Sequence, residues 1–142
     1  MRITKKDIKS VTPMVKELWP EHELESLERI VGEYVQGEES VVIAELIDGE
    51  YAGVALCCLR HDYVEGCETS PVGYLEGIYV REKFRLKGIA NSLCRQCELW
   101  AKEKGCSEFA SDCELSNSTS LKFHLGIGFN EENRIICFKK NI

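Results

Sequence analysis

One stretch, Val72 to Lys104, constrains the fold more than any other. Val72–Val80 reads as a strand, with Tyr74, Leu75, Ile78, Tyr79 and Val80 in a β-like run. Arg81–Lys87 is basic. Gly88 then opens a helix to Lys104, with Ile89, Leu93, Cys97, Trp100 and Ala101 as its buried stripe. A strand feeding a long amphipathic helix without a linker belongs in a layered α/β domain. It also builds an anion site, because N–H groups at a helix N-terminus are unpaired and positively polarised. Gly88 and Ala90 leave room for an anion to approach the main chain. Arg81, Lys83, Arg85 and Lys87 against Glu82 give the loop a local charge of +3. The pattern Arg85-x-x-Gly88-x-Ala90 is neither G-x-x-x-x-G-K-[ST] nor G-x-G-x-x-G, which argues against mononucleotide hydrolysis and dinucleotide redox chemistry. An ordinary strand-to-helix turn satisfies the same local pattern.

The rest of the chain supplies partners for this unit. Met1–Thr4 is a candidate short strand. Apolar spacing predicts helices over Asp7–Trp19 and His22–Val35, with Pro13 interrupting or restarting the first and Gly37 stopping the second. Ser40–Ile47 and Tyr51–Arg60 read as strands joined by the hairpin signal Asp48-Gly49. Tyr63–Pro71 reads as a loop. Beyond Gly105, a plausible C′ residue, lie a short strand over Cys106–Ser111, a helix from Asn117 to Ile127 with Asn117 or Ser116 as N-cap, and a last strand over Arg134–Lys139. The 142 residues are close to one domain of ~150, so the economical reading is one mixed α/β domain.

Charge and cysteine content narrow the functional classes. Residues 1–71 carry 7 basic and 15 acidic side chains, whereas residues 72–142 carry 11 and 9. Positions 17–50 alone hold 11 acids and one base, Arg29. This excess suits a polycationic ligand or, equally, a solvated acidic helix face. No basic face for a nucleic acid is visible. No apolar run approaches the ~20 residues of a membrane helix, and Met1–Asp7 lacks the apolar core of a signal peptide, so the expected compartment is the cytoplasm. Of the eight Cys, only Cys94-x-x-Cys97 has metal-like or redox-like spacing. It falls within an amphipathic helical pattern and lacks a second pair or a nearby His, so no metal is expected. Cys57 and Cys58 would face opposite sides of a strand.

With these motifs in place, the chain resembles the GCN5-related N-acetyltransferase (GNAT) superfamily. The Arg85-x-x-Gly88-x-Ala90 loop is similar to the family's pyrophosphate loop. Asn117-x-x-Ser120-x-x-x-His124-x-x-x-Gly128-Phe129 is similar to its N-x-x-A-x-x-x-Y-x-x-x-G-F segment. Several further stretches resemble one branch, the short chromosomal aminoglycoside 6′-N-acetyltransferases: Leu18-Trp19-Pro20, Arg60–Cys67, Ser70-Pro71-Val72, Leu75–Ile78 and Glu108–Asp112. The resemblance implies a single domain over residues 1–142, built on a mostly antiparallel mixed sheet flanked by helices. It implies acetyl-CoA as co-substrate, a polycationic small-molecule acceptor and a homodimer, with the Arg134–Lys139 strand suited to edge pairing. The backbone of Ile78, Tyr79 and Val80 would hold the pantetheine arm. The amides of Leu86, Lys87, Gly88, Ile89, Ala90 and Asn91 would cradle the pyrophosphate, and Asn117 would contact the coenzyme near its thioester. Trp19, His22, Tyr63, Glu76 and Asp112 match positions lining the aminoglycoside site, with Asn133 where relatives often carry Glu.

The bland readings stand beside these roles. Trp19 also suits the buried end of a helix, His22 a helix N-terminus, Tyr63 a packed loop, and Asp112 the start of a turn. Glu76 is harder to dismiss, since a carboxylate inside an apolar strand is costly without a partner or a task. It is the candidate base that takes the proton from the attacking amine, directly or through one water. Backbone N–H groups near Ile78 would polarise the thioester carbonyl. No Cys sits in a Cys/His/Asp arrangement that would favour a covalent route. A polyamine or small-amine acetyltransferase fits the same acidic character. A non-catalytic acetyl-CoA sensor is favoured by His124, which stands where many family members carry Tyr. A lone His on a helix also packs or bonds locally, and the expectation is that His124 lines the coenzyme side without being essential.

Overall fold

Asp48 and Gly49 sit at φ 51° and 80°, the type I′ geometry whose twist matches that of flanking strands. In this computed structural model, which describes residues 1–142, they join β1 (Ser40–Ile47) to β2 (Glu50–Arg60) as an antiparallel hairpin. β2 pairs antiparallel with β3 (Val72–Val80), and β4 (Phe109–Ser111) pairs parallel with β3. The order is β1-β2-β3-β4, the expected mixed and mostly antiparallel sheet.

Side chains alternate across the sheet and give each face a core. Val42, Ala44, Val54 and Leu56 face α1 (Ile8–Leu18) and α2 (Leu24–Gln36), which contribute Val11, Met14, Val15, Leu27 and Val31. Val41, Ile43, Ala55, Cys57 and Leu75 face α3 (Ile89–Glu103), which contributes Leu93, Cys94, Cys97 and Trp100. Cys94 and Cys97 therefore pack as small hydrophobes. Truncating a fully buried residue such as Leu56 to Ala costs about 2–5 kcal/mol. α4 (Ser118–Gly126) follows β4. No helix is long and apolar enough to cross a membrane.

The helix ends obey local chemistry. After α3, Gly105 has φ 90°, Gly105 N–H reaches Lys102 O (3.0 Å) and Cys106 N–H reaches Ala101 O (3.0 Å), a Schellman motif. The same motif closes α4. Gly128 has φ 102°, its N–H reaches Leu125 O (3.3 Å), and Phe129 N–H reaches His124 O (3.0 Å). Asn117 Oδ1 caps the start of α4 by accepting from Ser120 N–H at 3.0 Å.

Four expectations change, and a fifth, the Gly37 stop, holds by another geometry. Met1–Thr4 is no strand but a single bridge, Arg2 to Ile43, on the outer edge of β1. Thr4 already turns the chain away, its N–H (3.0 Å) and hydroxyl (2.6 Å) both held by Asp7 Oδ2. Pro13 does not break α1. It lies on the exposed side of the helix, where water can satisfy a carbonyl left without its amide partner. Gly37 ends α2 at φ −69°, not in the left-handed region; a Cβ there would strike Ser40 Oγ. The Cys106–Ser111 strand shortens to Phe109–Ser111, because Cys106 is spent on closing α3. Arg134–Lys139 forms no strand: Asn133 and Glu131 bind Arg134 locally, and Ile135, Ile136 and Phe138 stay exposed with no ladder to join.

Candidate active site

The site is set by a fork. β3 and β4 pair only at Gly73↔Phe109, Tyr74↔Ala110 and Leu75↔Ser111. β4 then ends while β3 runs on to Val80, so the edge of β3 beyond Leu75 has no strand partner. A bulge at the same place, between the pairs Cys57↔Leu75 and Leu56↔Gly77, leaves Glu76 as an extra residue. Ile78, Tyr79 and Val80 thus lie on a free strand edge, the geometry an extended amide-bearing ligand completes. Arg85 Nε donates to Val80 O at 3.0 Å and anchors the following loop to the end of this edge.

The loop delivers an open helix N-terminus. Leu86 and Gly88 have φ 60° and 77°, and Gly88 is the N-cap of α3 with no side-chain cap bond. The first amides of α3, including Ile89, Ala90 and Asn91, have no intrahelical acceptor. A Cβ built on Gly88 meets nothing within 4 Å, so the space over these amides is free. Lys87 is exposed beside it. The local charge is smaller than the sequence count suggests, because Glu50 takes Arg81 (2.7 Å) and Lys83 (2.6 Å). These features fit the pyrophosphate and pantetheine of a coenzyme A thioester.

At the other end, carboxylates gather around one arginine. Arg60 Nε and Nη2 both donate to Glu76 Oε1, at 3.1 and 2.7 Å, and Cys58 Sγ donates to the same oxygen at 3.1 Å. The Arg60 guanidinium carbon lies 3.3 Å over the centroid of the Tyr74 ring, and Tyr74 Oη donates to Asp112 Oδ2. Burial opposes charge on Arg60, but the bonds and charge of Glu76 hold its pKa above the ordinary value. Burial, then Glu76, pushes the Cys58 thiol up to about 11. Burial, then Asp112, raises the Tyr74 phenol. Trp19 packs over β3 next to Glu76 because residue 77 is glycine: a Cβ there would lie 2.6 Å from Leu18 Cδ2 and 3.0 Å from Trp19 Cζ2.

Beside the cluster opens a cavity of about 670 Å³. Six carboxylates line it, Glu65, Glu108, Asp112, Glu114, Glu131 and Glu132, against Arg60 and Arg134. Tyr63, Asp112 and Asn133 share this wall, with Tyr63 Oη on Glu65 Oε2 (3.1 Å) and Asn133 Nδ2 on Glu65 Oε1 (2.9 Å). Glu76, Trp19 and His22 do not line it. Glu76 is joined to the cavity wall through its bonds from Arg60, and the exposed His22 has its ring 6.4 Å from Trp19 and 3.4 Å from Glu21. Of the acceptor-side residues expected from sequence, Tyr63, Asp112 and Asn133 share the cavity wall and Glu76 joins it through Arg60, whereas Trp19 and His22 follow α1 outside it. The acidic stretch 17–50 supplies none of the cavity's carboxylates; its members pair on the surface with Arg29, His61, Ser92, Arg81 and Lys83.

His124 stands at the fork. Its Nδ1 faces Ser120 O at 2.7 Å, so that nitrogen carries a proton, and its Nε2 faces Ser111 Oγ at 2.8 Å. Ser111 Oγ in turn lies 3.0 Å from Leu75 O. Asn117 Oδ1 accepts the helix-cap bond, and its NH₂ is free to donate to a ligand. Sequence reasoning gave no role to Arg60, Tyr74, Cys58 or Ser111. Arg60 lay inside a quoted motif, and the shared face of Cys58 and Arg60 follows from period 2. Which residues of β3 stand opposite depends on a bulge that no local signal announces.

A forked parallel strand pair leading to an uncapped helix N-terminus behind a left-handed glycine is the architecture of a coenzyme A-dependent acyltransferase. The model of the Acetyltransferase (GNAT) family matches residues 8–129, and the chain belongs to this family. It is 42% identical over 131 residues to an aminoglycoside N(6')-acetyltransferase type 1 of Acinetobacter genomosp. 13, covering 89% of this chain and 87% of the relative. It is 40% identical over 125 residues to the enzyme of that name from Acinetobacter baumannii, covering 88% and 86%. Among solved structures, aminoglycoside N-acetyltransferase AAC(6')-Iy in complex with CoA superposes with a TM-score of 0.96 at 35% identity, over 99% of this chain and 93% of that one. AAC(6')-Iy with the bisubstrate analogue CoA-S-monomethyl-acetylneamine gives a TM-score of 0.96 at 35% identity, over 100% and 97%.

Proposed function

We propose that this acetyltransferase moves the acetyl group of acetyl-CoA to the 6′-amine of aminoglycosides, by direct attack within a ternary complex. The observation that carries the substrate class is the cavity beside the fork, with its six carboxylates against two arginines. Such a surface raises the local concentration of a polycation. The likeness to aminoglycoside N(6')-acetyltransferases over most of the chain supports the same reading.

When bound, acetyl-CoA supplies an activated acetyl thioester. The free edge of Ile78, Tyr79 and Val80 would align its pantetheine arm, and the amides from Leu86 to Asn91 its pyrophosphate. Asn117 would reach it through its NH₂. On the acceptor side, Tyr63, Asp112 and Asn133 would hold the sugar rings, with Trp19 and His22 closing the side toward α1. Glu76 would accept the amine proton: Oε1 is saturated by three donors, so Oε2 has the remaining acceptor capacity. His124, bonded at both ring nitrogens, would shape the fork without being indispensable.

The same reading makes the chain one catalytic domain, acting in the cytoplasm as a homodimer. The dimer is supported by the exposed Ile135, Ile136 and Phe138 and by a three-residue edge strand β4 with no outer neighbour. Light scattering of the purified protein measures it directly. The experiment for the activity is thioester cleavage with an amine panel. Turnover with kanamycin-like amines at least ten times faster than with spermidine supports the proposal. Preference for spermidine makes it a polyamine enzyme, and coenzyme binding without turnover makes it a sensor.

A further inference from the structure

Arg60 lies where an acidic amine site would be expected to hold no cation. Glu76 interrupts an apolar strand beside the fork, and its side chain is only 23% exposed. Arg60 occupies it with two hydrogen bonds to one oxygen and stacks its guanidinium flat on Tyr74. Every element around this guanidinium contributes a titratable group. Tyr34 comes from α2, Cys58 from its own strand, Tyr74 and Glu76 from β3, and Asp112, held by Tyr74, from the end of β4. Farther out, the cavity wall is carboxylate-rich. The charge pattern is therefore graded: anionic along the cavity, and already neutralised at the innermost carboxylate.

We propose that Arg60 is a specificity-determining and positioning residue for the acceptor amine: it fills the cation demand of Glu76, so the reacting amine docks uncharged while the substrate's other ammonium groups are held by the cavity carboxylates. The physics is that of like charges. An ammonium placed at Glu76 would bring a second positive charge beside a guanidinium that cannot give up its own. A neighbouring cation disfavours the charged form of an amine and favours the nucleophilic one, by an amount that reaches one or more pH units at contact distance. The neutral amine attacks the thioester carbonyl with its lone pair, the proton that its nitrogen then sheds passes to Glu76 Oε2 or through a water to solvent, coenzyme A departs as the thiolate when the C–S bond breaks, and Arg60 stays protonated throughout. Arg60 acts by charge, so a lysine keeps part of the effect, and a neutral side chain of similar length does not.

This inference rests on the acetyl-transfer reading of the site, and the test separates the two. The pH profile of kcat, which reports ionisations within the bound complex, is measured at saturating acetyl-CoA and kanamycin-like substrate for the wild type, Arg60→Met and Arg60→Lys, with the folded state of each checked by circular dichroism and acetyl-CoA titration. In Arg60→Met the acid limb, along which activity rises as the amine loses its proton, should move up by about one pH unit. That lowers activity about tenfold below the limb and much less above it. Arg60→Lys should keep the limb within a few tenths of a unit of the wild type. An Arg60→Met variant that loses activity by the same factor at every pH, or an Arg60→Lys limb displaced as far as that of Arg60→Met, overturns the proposal. An Arg60→Met protein that fails to fold leaves the Arg60→Lys profile to decide, with an unmoved limb and a KM raised less than tenfold as the expected result. Absence of wild-type turnover with any aminoglycoside would overturn the acetyl-transfer reading, and this inference with it.

Discussion

The two ends of the site are built from different materials. The coenzyme end is main chain: a strand edge without a partner from Glu76 to Val80, and a helix N-terminus opened by Gly88 at φ 77°. The amine end is side chains, drawn from the Tyr63–Cys67 loop, β2, β3, the end of β4 and the segment after α4. Main-chain groups look alike in every sequence, so the first end demands only that small residues keep it open. The second demands particular functional groups at particular faces, and one displaced carboxylate changes its character. Tolerance to substitution should therefore differ sharply between the two, and so should the kinetic constant that responds.

The largest effect is expected from closing the main-chain end. Gly88→Asp places a carboxylate in the open space above the first amides of α3, where it supplies the missing cap and repels a pyrophosphate. Acetyl-CoA affinity should fall by about 100-fold or more, roughly 2.7 kcal/mol, with the helix intact. Calorimetric titration reads it, and an unchanged Kd breaks the account of that end. Glu76→Gln comes next: it removes the proposed proton acceptor but keeps the shape, and kcat should drop by about 100-fold with coenzyme binding unaffected.

Legibility divides along the same line. The strand, glycine and helix over Val72–Lys104 were readable because each rests on local chemistry: period 2, a left-handed turn, period 3.6. The Gly128-Phe129 pair was visible as a motif and proves to be a Schellman closure, again local. The amine end was readable only in part. Glu76 stood out as a charge in an apolar run, yet its partner Arg60 depends on the β2–β3 bulge. Of the two readings of the acidic excess at 17–50, the solvated face fits, since none of its carboxylates lines the cavity; charge counts along a chain carry no information about which faces converge. The expected Arg134–Lys139 strand had the right residues but no neighbouring ladder within one chain.

Smaller changes sharpen the comparison. Asp112→Asn keeps the bond geometry to Tyr74 and removes one charge from the cavity, so KM for the aminoglycoside should rise by about tenfold with kcat nearly constant. A fall in kcat with KM unchanged would instead give Asp112 a part in the chemistry. The smallest effect belongs to His124→Phe. Phe123 and Phe129 already flank the imidazole edge-on, with centroids 5.4 and 5.2 Å away, and an aromatic ring replaces it there. Turnover should stay within about tenfold, or ~1.4 kcal/mol of barrier. A loss of a thousandfold with coenzyme still bound would make His124 the acid that protonates the departing thiolate.

The division into a main-chain end and a side-chain end is tested most directly by the double variant Glu76→Gln/Asp112→Asn. Its acetyl-CoA Kd, measured by calorimetry, should lie within about twofold of the wild type, while kcat/KM for a kanamycin-like substrate falls by about 100-fold or more, the two effects being coupled through Arg60 and Tyr74. Coenzyme affinity falling in step with kcat/KM, or kcat/KM within tenfold of the wild type, would contradict it.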